Sequence, residues 1–200
     1  MQILHPFSGS LQQYEEAISD PDRCRLDHCP QCKAGQAMRG HGFYRRTLVD
    51  LGFEGSIRVR RYLCLACKRT VSLLPEFALP YLRFSVVVIG LFLIARLREG
   101  RTLVAAAVAA SQPHMPYQRG QFWVRRFRRQ AEALCAALAA QHTPPPAADF
   151  VTRALLILQS LGWITAHRFL FSQVRVHLLG WPRFLAPFGR RAALPSTSSP

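Results

Sequence analysis

Two C-x-x-C pairs constrain this chain more than any other feature of its sequence. Cys29 and Cys32 stand in CPQC, and Cys64 and Cys67 stand in CLAC. Two residues between thiolates allow one tight turn to direct both sulfurs at a single ion, and two such turns complete a tetrahedron. The pattern predicts one structural Zn²⁺ bound by these four cysteines, with no open coordination position.

A redox dithiol, or two unrelated turns, is the alternative interpretation of these pairs. A thioredoxin-like dithiol opens a helix after a strand in a larger α/β domain, and this sequence does not have that pattern. Cys24, His28 and His41 are further candidates as substitute ligands or as neighbours of the site. Cys135 lies in an alanine-rich stretch and is typical of a small buried hydrophobe.

Segments with strand character surround the cysteine pairs. AMRGHGFYRR is typical of a strand with a bend, SIRVRRYLC alternates with a period of two, and TVSL supplies a third short strand. The sequence therefore predicts an α+β chain. A lead-in segment over residues 1–23 precedes a small zinc ribbon over residues 24–80, and an all-helical, helix-turn-helix-like region follows.

The composition points to an anionic partner. The 200 residues carry a formal net charge of +15, which favours DNA, RNA or an acidic lipid surface. The most apolar stretch, FSVVVIGLFLIA, is shorter than the roughly 20 residues that cross a bilayer, and it predicts a buried helix. The N-terminus does not resemble a secretory signal. We expect a cytoplasmic, nucleoid-associated protein with no membrane partner, since reducing conditions favour metal over disulfide.

Residues 81–141 are predicted to be helical and helix-turn-helix-like. One helix runs from Phe84 to Arg98 and ends before Gly100, and Thr102 is a suitable N-cap for LVAAAVAA. The prolines of SQPHMPYQRG then interrupt the pattern, and QFWVRRFRRQAEALCAALAA forms the final long helix. This connection is longer than the three or four residues usual in a helix-turn-helix.

The long helix has one apolar stripe and one basic face. The stripe consists of Trp123, Val124, Phe127, Ala131 and Leu134. The basic face resembles a recognition surface for the major groove, although an ordinary solvated bundle face is the alternative. We predict nucleic-acid contacts from this helix and from the ribbon, made by Arg119, Phe122, Arg125, Arg126, Arg129, Arg58 and Arg60.

The rest of the chain carries fewer signals. A Pro-rich linker is predicted over residues 142–149, a C-terminal helical segment over 150–190 and a disordered tail over 191–200. Only 11 residues are acidic, whereas an RNase-H-type transposase needs three carboxylates that converge on two metal ions. The sequence predicts that the chain is not an enzyme.

The stretch CPQC…GHGFYRR…IRVRRYLCLACKRTVSLLPEFALPYLR resembles uncharacterised bacterial zinc-ribbon proteins akin to the N-terminal part of insertion-sequence transposases. The resemblance carries the four cysteines over as zinc ligands. It also matches a strand motif and the approach to the second pair, through His41, Gly42, Tyr44, Arg46, Arg61 and Tyr62. It is strong over residues 24–83 and looser beyond, where LLGWPRFLAPFGR looks like the family's C-terminal segment. It implies DNA association with mobile elements and no specific activity.

These observations lead us to expect a non-catalytic, zinc-dependent DNA-binding protein, either an accessory or a remnant of a mobile element. A separate transposase or self-association would supply a protein partner. Two alternatives stay open. The chain is an RNA-binding or ribosome-associated basic ribbon, or it is an interaction module whose Phe84–Ala95 helix binds a partner.

Overall fold

A four-stranded sheet forms from the N-terminal part of the chain. Its strand order is β1-β4-β3-β2, with β1 at Gln2–His5, β2 at Met38–Asp50, β3 at Phe53–Cys64 and β4 at Thr70–Pro75. β1 pairs with β4 in parallel, and the other two pairings are antiparallel. The computed structural model describes residues 1–5, 7, 11–20, 24–143 and 146–180.

The strands flanking the cysteine pairs agree with the sequence pattern, and the mixed α+β class is confirmed. The predicted bend in β2 is a bulge between Gly40 and Phe43, where Gly42 has a φ of 76°. The period-two pattern predicted for β3 agrees only in part with the observed burial of its side chains. Ile57 and Val59 are buried as expected, but Tyr62 on the opposite face is fully buried as well. The sheet is covered on both faces at that end, so a simple inside–outside alternation does not apply.

The segment predicted as a lead-in contributes to this sheet. It supplies β1 at one edge and α1 (Leu11–Ala17). The side chain of Tyr14 is completely buried, packs among Leu48, Ile57 and Val59, and donates its hydroxyl to the carbonyl oxygen of Arg58 at 2.9 Å. Residues before the first cysteine therefore help to build the sheet that carries the cysteine pairs.

The remainder of the described chain is helical. The helices are α2 (Val86–Leu93, continued by a π-helical turn over Ile94–Arg98), α3 (Leu103–Ala109), α4 (Tyr117–Leu138), α5 (Phe150–Leu161) and α6 (Trp163–Phe169, continued by a π-helical turn over Leu170–Val174). The predicted cap at Thr102 is confirmed, because its hydroxyl accepts the N–H of Ala105 at 3.1 Å.

Helices α2, α3 and α4 pack around one aromatic cluster. Trp123 is fully buried, and its ring meets those of Phe84 and Phe92 edge-on at centroid distances of 4.9 and 5.2 Å. Gly120 allows this close approach, since a Cβ atom there would lie 2.7 Å from the ring of Phe92. The predicted burial of Trp123 is confirmed, and its neighbour Phe122 is only partly buried.

The sheet and the helices are joined through the end of β2. The hydroxyl of Ser85 donates to Asp50 Oδ1 at 2.7 Å and accepts the N–H of Val88 at 3.1 Å, so it caps α2 and ties it to the strand. Arg46 donates from Nη2 to the carbonyl oxygens of Leu79 (2.9 Å) and Leu82. These bonds fix the start of the helical region against the sheet.

The linker and C-terminal predictions are covered only in part. α4 ends at Leu138, and Asp149 caps α5 by accepting the N–H groups of Val151 and Thr152. Residues 144–145, the end of the predicted helical segment at 181–190 and the predicted tail at 191–200 lie outside the described residues. Within the described ranges, no single helix has the length and apolarity to cross a bilayer. One pair, Phe150–Leu161 with Trp163–Val174, meets the criterion jointly, but it is bent by 102°.

Replacing Trp123 with alanine tests the aromatic cluster. We expect Trp123→Ala to lower the free energy of unfolding by about 3–5 kcal/mol, because it leaves a large cavity between α2 and α4. Phe122→Ala is the matched control, and its smaller cost follows from partial exposure. Chemical denaturation of both variants provides the comparison, and an equal loss in the two would contradict the packing described.

Candidate metal centre and nucleic-acid interface

The four cysteines of the two pairs converge at one end of the sheet. Their sulfur atoms all lie within 4.8 Å of one another, with 3.8 Å between Cys29 and Cys67 and 3.7 Å between Cys32 and Cys64. A tetrahedron with metal–sulfur bonds of about 2.3 Å has sulfur–sulfur edges of about 3.8 Å. The four thiols are therefore placed to bind one metal ion.

The two cysteine turns have the same backbone design. In the first turn, the backbone carbonyl oxygen of Cys29 accepts the N–H of Lys33 at 2.9 Å. In the second turn, the backbone carbonyl oxygen of Cys64 accepts the N–H of Lys68 at 2.9 Å. Each lysine has a left-handed backbone, with φ of 65° at Lys33 and 58° at Lys68. This conformation closes each turn directly after its second cysteine.

The β2–β3 hairpin brings the two turns together. Cys64, the last residue of β3, pairs with Met38 at the start of β2, and the N–H of Leu65 donates to the carbonyl of Ala37 at 2.8 Å. The first turn precedes β2 and the second follows β3, so both lie at the open end of the hairpin. The long segment between the pairs is thus the hairpin that aligns them.

The other candidate ligands lie outside the cluster. Cys24 is buried, and its sulfur lies 3.5 Å from Nε2 of His5. His28 forms an isolated bridge with Gly35, and His41 is exposed in β2. Among the described residues, the four cysteines of the two pairs are the only group of His, Cys, Asp and Glu that converges in this way.

The four thiols of the cluster differ in acidity. The backbone N–H of Cys32 lowers the pKa of Cys29 to about 6. The pKa of Cys67 is raised to about 11: the N–H of Arg69 acts to lower it, but burial and the bonds from the three other thiols outweigh that effect. Four thiolates at these distances repel one another, so full ionisation requires a cation between them.

Helix α4 presents one continuous exposed side. Its inward residues include Trp123, Phe127, Ala131 and Leu134 as predicted, whereas Val124 is only half-buried. Exposed residues recur every three or four positions and share one side of the helix. We call the part of this side from Tyr117 to Arg129 the outer face of α4. It consists of Tyr117, Gln118, Gln121, Arg125, Arg128 and Arg129, and the exposed Glu132 continues the same side one turn later.

Only part of the predicted contact set lies on that face. Arg125 and Arg129 are there, but Tyr117, Gln118, Gln121 and Arg128 were not predicted as contacts. The helix begins at Tyr117, four residues before the predicted start, because Pro116 immediately precedes the helix rather than interrupting it. The sequence did carry a signal for this earlier start, since Pro116 is followed by residues that extend the amphipathic pattern of the helix.

Arg126 is engaged within the protein, whereas the sequence predicted a nucleic-acid contact for it. Its Nε and Nη2 donate to the carbonyl oxygens of Leu179 and Gly180, each at 2.5 Å. These bonds hold the chain after α6 against α4. Arg119 and Phe122 are half-buried and border a cleft of about 340 Å³ beside this anchor, away from the outer face.

The two predicted ribbon arginines also have internal partners. Arg58 Nε lies 2.8 Å from Glu15 Oε2, an ion pair that ties α1 to β3. Arg60 is 7% exposed, and its guanidinium carbon lies 4.7 Å from the ring centroid of Phe43 and 5.4 Å from that of Tyr62. Arg60 is therefore buried, whereas the side chain of Arg58 stays 40% exposed beside its ion pair. The exposed cations of the sheet and the cysteine turns include Lys33, Arg39, Arg45, Lys68 and Arg69.

Two buried histidines neighbour each other, and one of them, His177, lies beside the anchor of Arg126. The N–H of Leu179 donates to His177 Nδ1 at 3.1 Å, so the proton of this ring is on Nε2, which donates to the carbonyl of Pro80 at 3.1 Å. Burial lowers the pKa of His177 to about 4. His167 is also buried, and burial together with the neighbouring His177 lowers its pKa to about 3. Both rings are neutral in the folded protein at pH 7.

This neutrality predicts a loss of stability in mild acid. An unfolded histidine titrates near pH 6.5, so below that pH the unfolded chain gains protons that the folded chain does not. We expect each histidine to cost up to about 1.4 kcal/mol per pH unit between about pH 6.5 and pH 4. His177→Gln should therefore show a shallower decline in unfolding free energy than the unmodified chain. Parallel declines would contradict the neutral state of His177, since any effect of the cysteines is common to both proteins.

The comparisons with known proteins extend only as far as an uncharacterised family. Residues 29–105 match the model of a family described as Domain of unknown function (DUF6431). The match begins at Cys29 and includes all four cysteines, β2 to β4, α2 and the start of α3, but it does not include α4. No curated protein and no solved structure matches the chain significantly.

Proposed function

We propose that the chain is a non-catalytic, zinc-dependent DNA-binding protein. In this proposal the four cysteines bind one structural Zn²⁺, and α3 with α4 acts as a helix-turn-helix unit whose outer face enters the major groove. The observation that carries the proposal is the outer face itself, an exposed side of α4 composed of amide, aromatic and arginine residues. The association with a mobile element, as an accessory or remnant, rests on the sequence resemblance alone.

The donor set favours zinc over other divalent ions. Four thiolates are soft ligands, and a tetrahedral arrangement of sulfur is typical of zinc or of iron–sulfur centres. The two short turns and the hairpin supply four ligands and leave no position for a substrate, which is the arrangement of a structural site. Cys29, Cys32, Cys64 and Cys67 would hold the ion, and binding would stabilise the end of the sheet.

The helical unit has the parts that groove recognition requires. Trp123 anchors the inner side of α4 against α2, so the outer face is held on a rigid support. Gln118 and Gln121 carry amides that suit adenine edges, and Arg125 carries a guanidinium that suits guanine edges or phosphates. The connection from Ala110 to Pro116 is longer than usual for the motif, but α3 and α4 still share one core.

Several carboxylates have structural partners, which supports a non-catalytic role. Glu76 is buried and paired with Arg168 at 2.6 Å, and Glu15 is paired with Arg58. Asp50 accepts from Ser85, and Asp149 caps α5. These groups stabilise junctions between elements, and phosphoryl transfer by two metal ions would need carboxylates that converge on one site.

Structured RNA is the second candidate ligand, because arginines that contact phosphates do not by themselves distinguish DNA from RNA. Competition between duplex DNA and structured RNA separates the two. The interaction-module alternative has less support. It requires the Phe84–Ala95 helix to be available, yet Val86, Val88, Ile89, Phe92 and Leu93 are fully buried.

Removing two arginines from the outer face tests DNA binding. If Arg125 and Arg129 contact phosphates, Arg125→Ala/Arg129→Ala should flatten the slope of log K against log salt by about 1.8, at about 0.9 per phosphate. Arg98→Ala/Arg175→Ala is the charge-matched control from exposed positions outside α4, and we expect an unchanged slope. Fluorescence anisotropy with duplex DNA at several salt concentrations provides the measurement. Equal slopes for the two double variants would refute the assignment of the face.

Metal analysis tests the zinc site. We expect one zinc ion per chain after purification under reducing conditions. Cys64→Ser should lose the ion together with the folded signal of the sheet, because the ion supplies stability that this small region lacks. Cys135→Ser is the control, since Cys135 lies in α4 and outside the cluster. Zinc-free protein that keeps a folded sheet would argue against a structural zinc.

A further inference from the structure

We propose that the exposed side of the metal centre is a second phosphate-binding surface for the nucleic acid. The surface consists of Lys33, Arg39, Lys68 and Arg69, and we call it the knuckle surface. It rests on the proposed function, since it extends DNA binding from α4 to the ribbon. It also replaces Arg60, which is buried, while Arg58 is paired with Glu15 and stays partly exposed.

The two lysines occupy equivalent and unfavourable backbone positions. Lys33 and Lys68 each follow the second cysteine of a turn, with φ of 65° and 58°. Glycine adopts this left-handed conformation without a penalty, whereas a residue with a side chain does not. They are also the only lysines in a chain whose other basic residues are arginines. A lysine where glycine would be unstrained, in both turns, indicates that the side chain has a role.

The backbone holds both lysines on the exposed side of the cysteine cluster. Cys32, which precedes Lys33, is exposed, and Cys67, which precedes Lys68, is half-buried. The N–H of each lysine donates a hydrogen bond to the backbone carbonyl oxygen of the first cysteine of its own turn. The positions of the two lysines are therefore fixed by the turns that hold the ligands, while their side chains extend into solvent.

Two arginines add positive charge to both faces of the sheet at the end that carries the metal centre. Arg39 in β2 pairs with Leu63 in β3, and Leu63 pairs in turn with Thr70 in β4, directly after Arg69. Because β3 lies between β2 and β4, Arg39 and Arg69 are about 10 Å apart across one intervening strand, and the alternation of side chains places them on opposite faces of the sheet at the end that carries the metal centre. Within the part of the chain that is described, Lys33, Arg39, Lys68 and Arg69 make no side-chain ion pair or hydrogen bond.

The chemistry of this surface fits a phosphodiester backbone. Four cations without internal partners attract a polyanion, and a lysine ammonium acts as a point charge without base-specific geometry. A bound Zn²⁺ with four thiolates carries a net charge of about −2, so the four positive side chains would still leave the surface with a net positive charge. We therefore infer contacts that add affinity and salt dependence but no sequence preference.

The variant Lys33→Gly/Lys68→Gly separates this role from a structural one. Glycine relieves the strained turns, so the zinc-loaded full chain should keep its zinc and lose no thermal stability. If both lysines contact phosphates, the slope of log K against log salt for duplex DNA should flatten by about 1.8. Gln36→Gly is the matched control, because Gln36 is exposed near the same turn with a φ of 49° but carries no charge. Arg39→Ala/Arg69→Ala tests the same surface without changing either strained turn.

The possible outcomes are distinguishable from failure of the proposed function. Flattened slopes in both double variants, with the control unchanged, support the knuckle surface. If the unmodified chain binds DNA with a steep salt dependence but neither variant changes it, the knuckle surface is wrong while the DNA-binding proposal stands. Faster zinc loss to a chelator with an unchanged slope would assign the lysines to the metal site instead and overturn the inference. If the unmodified chain does not bind duplex DNA, both proposals fail.

Discussion

Four sulfur atoms within 4.8 Å of one another are the constraint on which the N-terminal half of this protein depends. They lie at the open end of the β2–β3 hairpin, and the sheet beneath them is completed by β1 and packed by α1. The other end of β2 is bonded to the start of the helical region through Asp50 and Ser85. A cation at the cysteines would therefore stabilise the platform on which α2 and, through it, α4 are held.

In helix α4, one basic segment divides between arginines bonded within the protein and arginines that are exposed. Arg126 anchors the chain after α6, whereas Arg125 and Arg129, its near neighbours, are exposed. The same division recurs around the sheet, where Arg60 is buried and Arg58 is paired with Glu15, whereas Lys33 and Lys68 are exposed. The number of positive charges in the sequence thus overestimates the surface that a polyanion can reach. The internal partners of each guanidinium determine which basic residues remain available to a polyanion.

The sequence was sufficient for local features and insufficient for long-range ones. Cysteine spacing predicted the cluster, period-two alternation predicted the strands, and the pattern at Thr102 predicted the start of α3. It did not predict that residues 2–5 add a strand beside β4, because parallel pairing between distant segments leaves no local pattern. The partners of Arg58 and Arg126 were equally hidden, since Glu15 and Leu179 lie 43 and 53 positions away.

Hydrogen–deuterium exchange of the zinc-loaded full chain, with and without duplex DNA, tests the central claim most directly. The account predicts slower exchange on DNA binding in the first half of α4, from Tyr117 to Arg129, and in the two cysteine turns. Exchange in α5, which lies away from the outer face, should not change. Protection confined to α5 and α6, or DNA binding without protection in α4, would contradict the assignment of the outer face as the nucleic-acid surface.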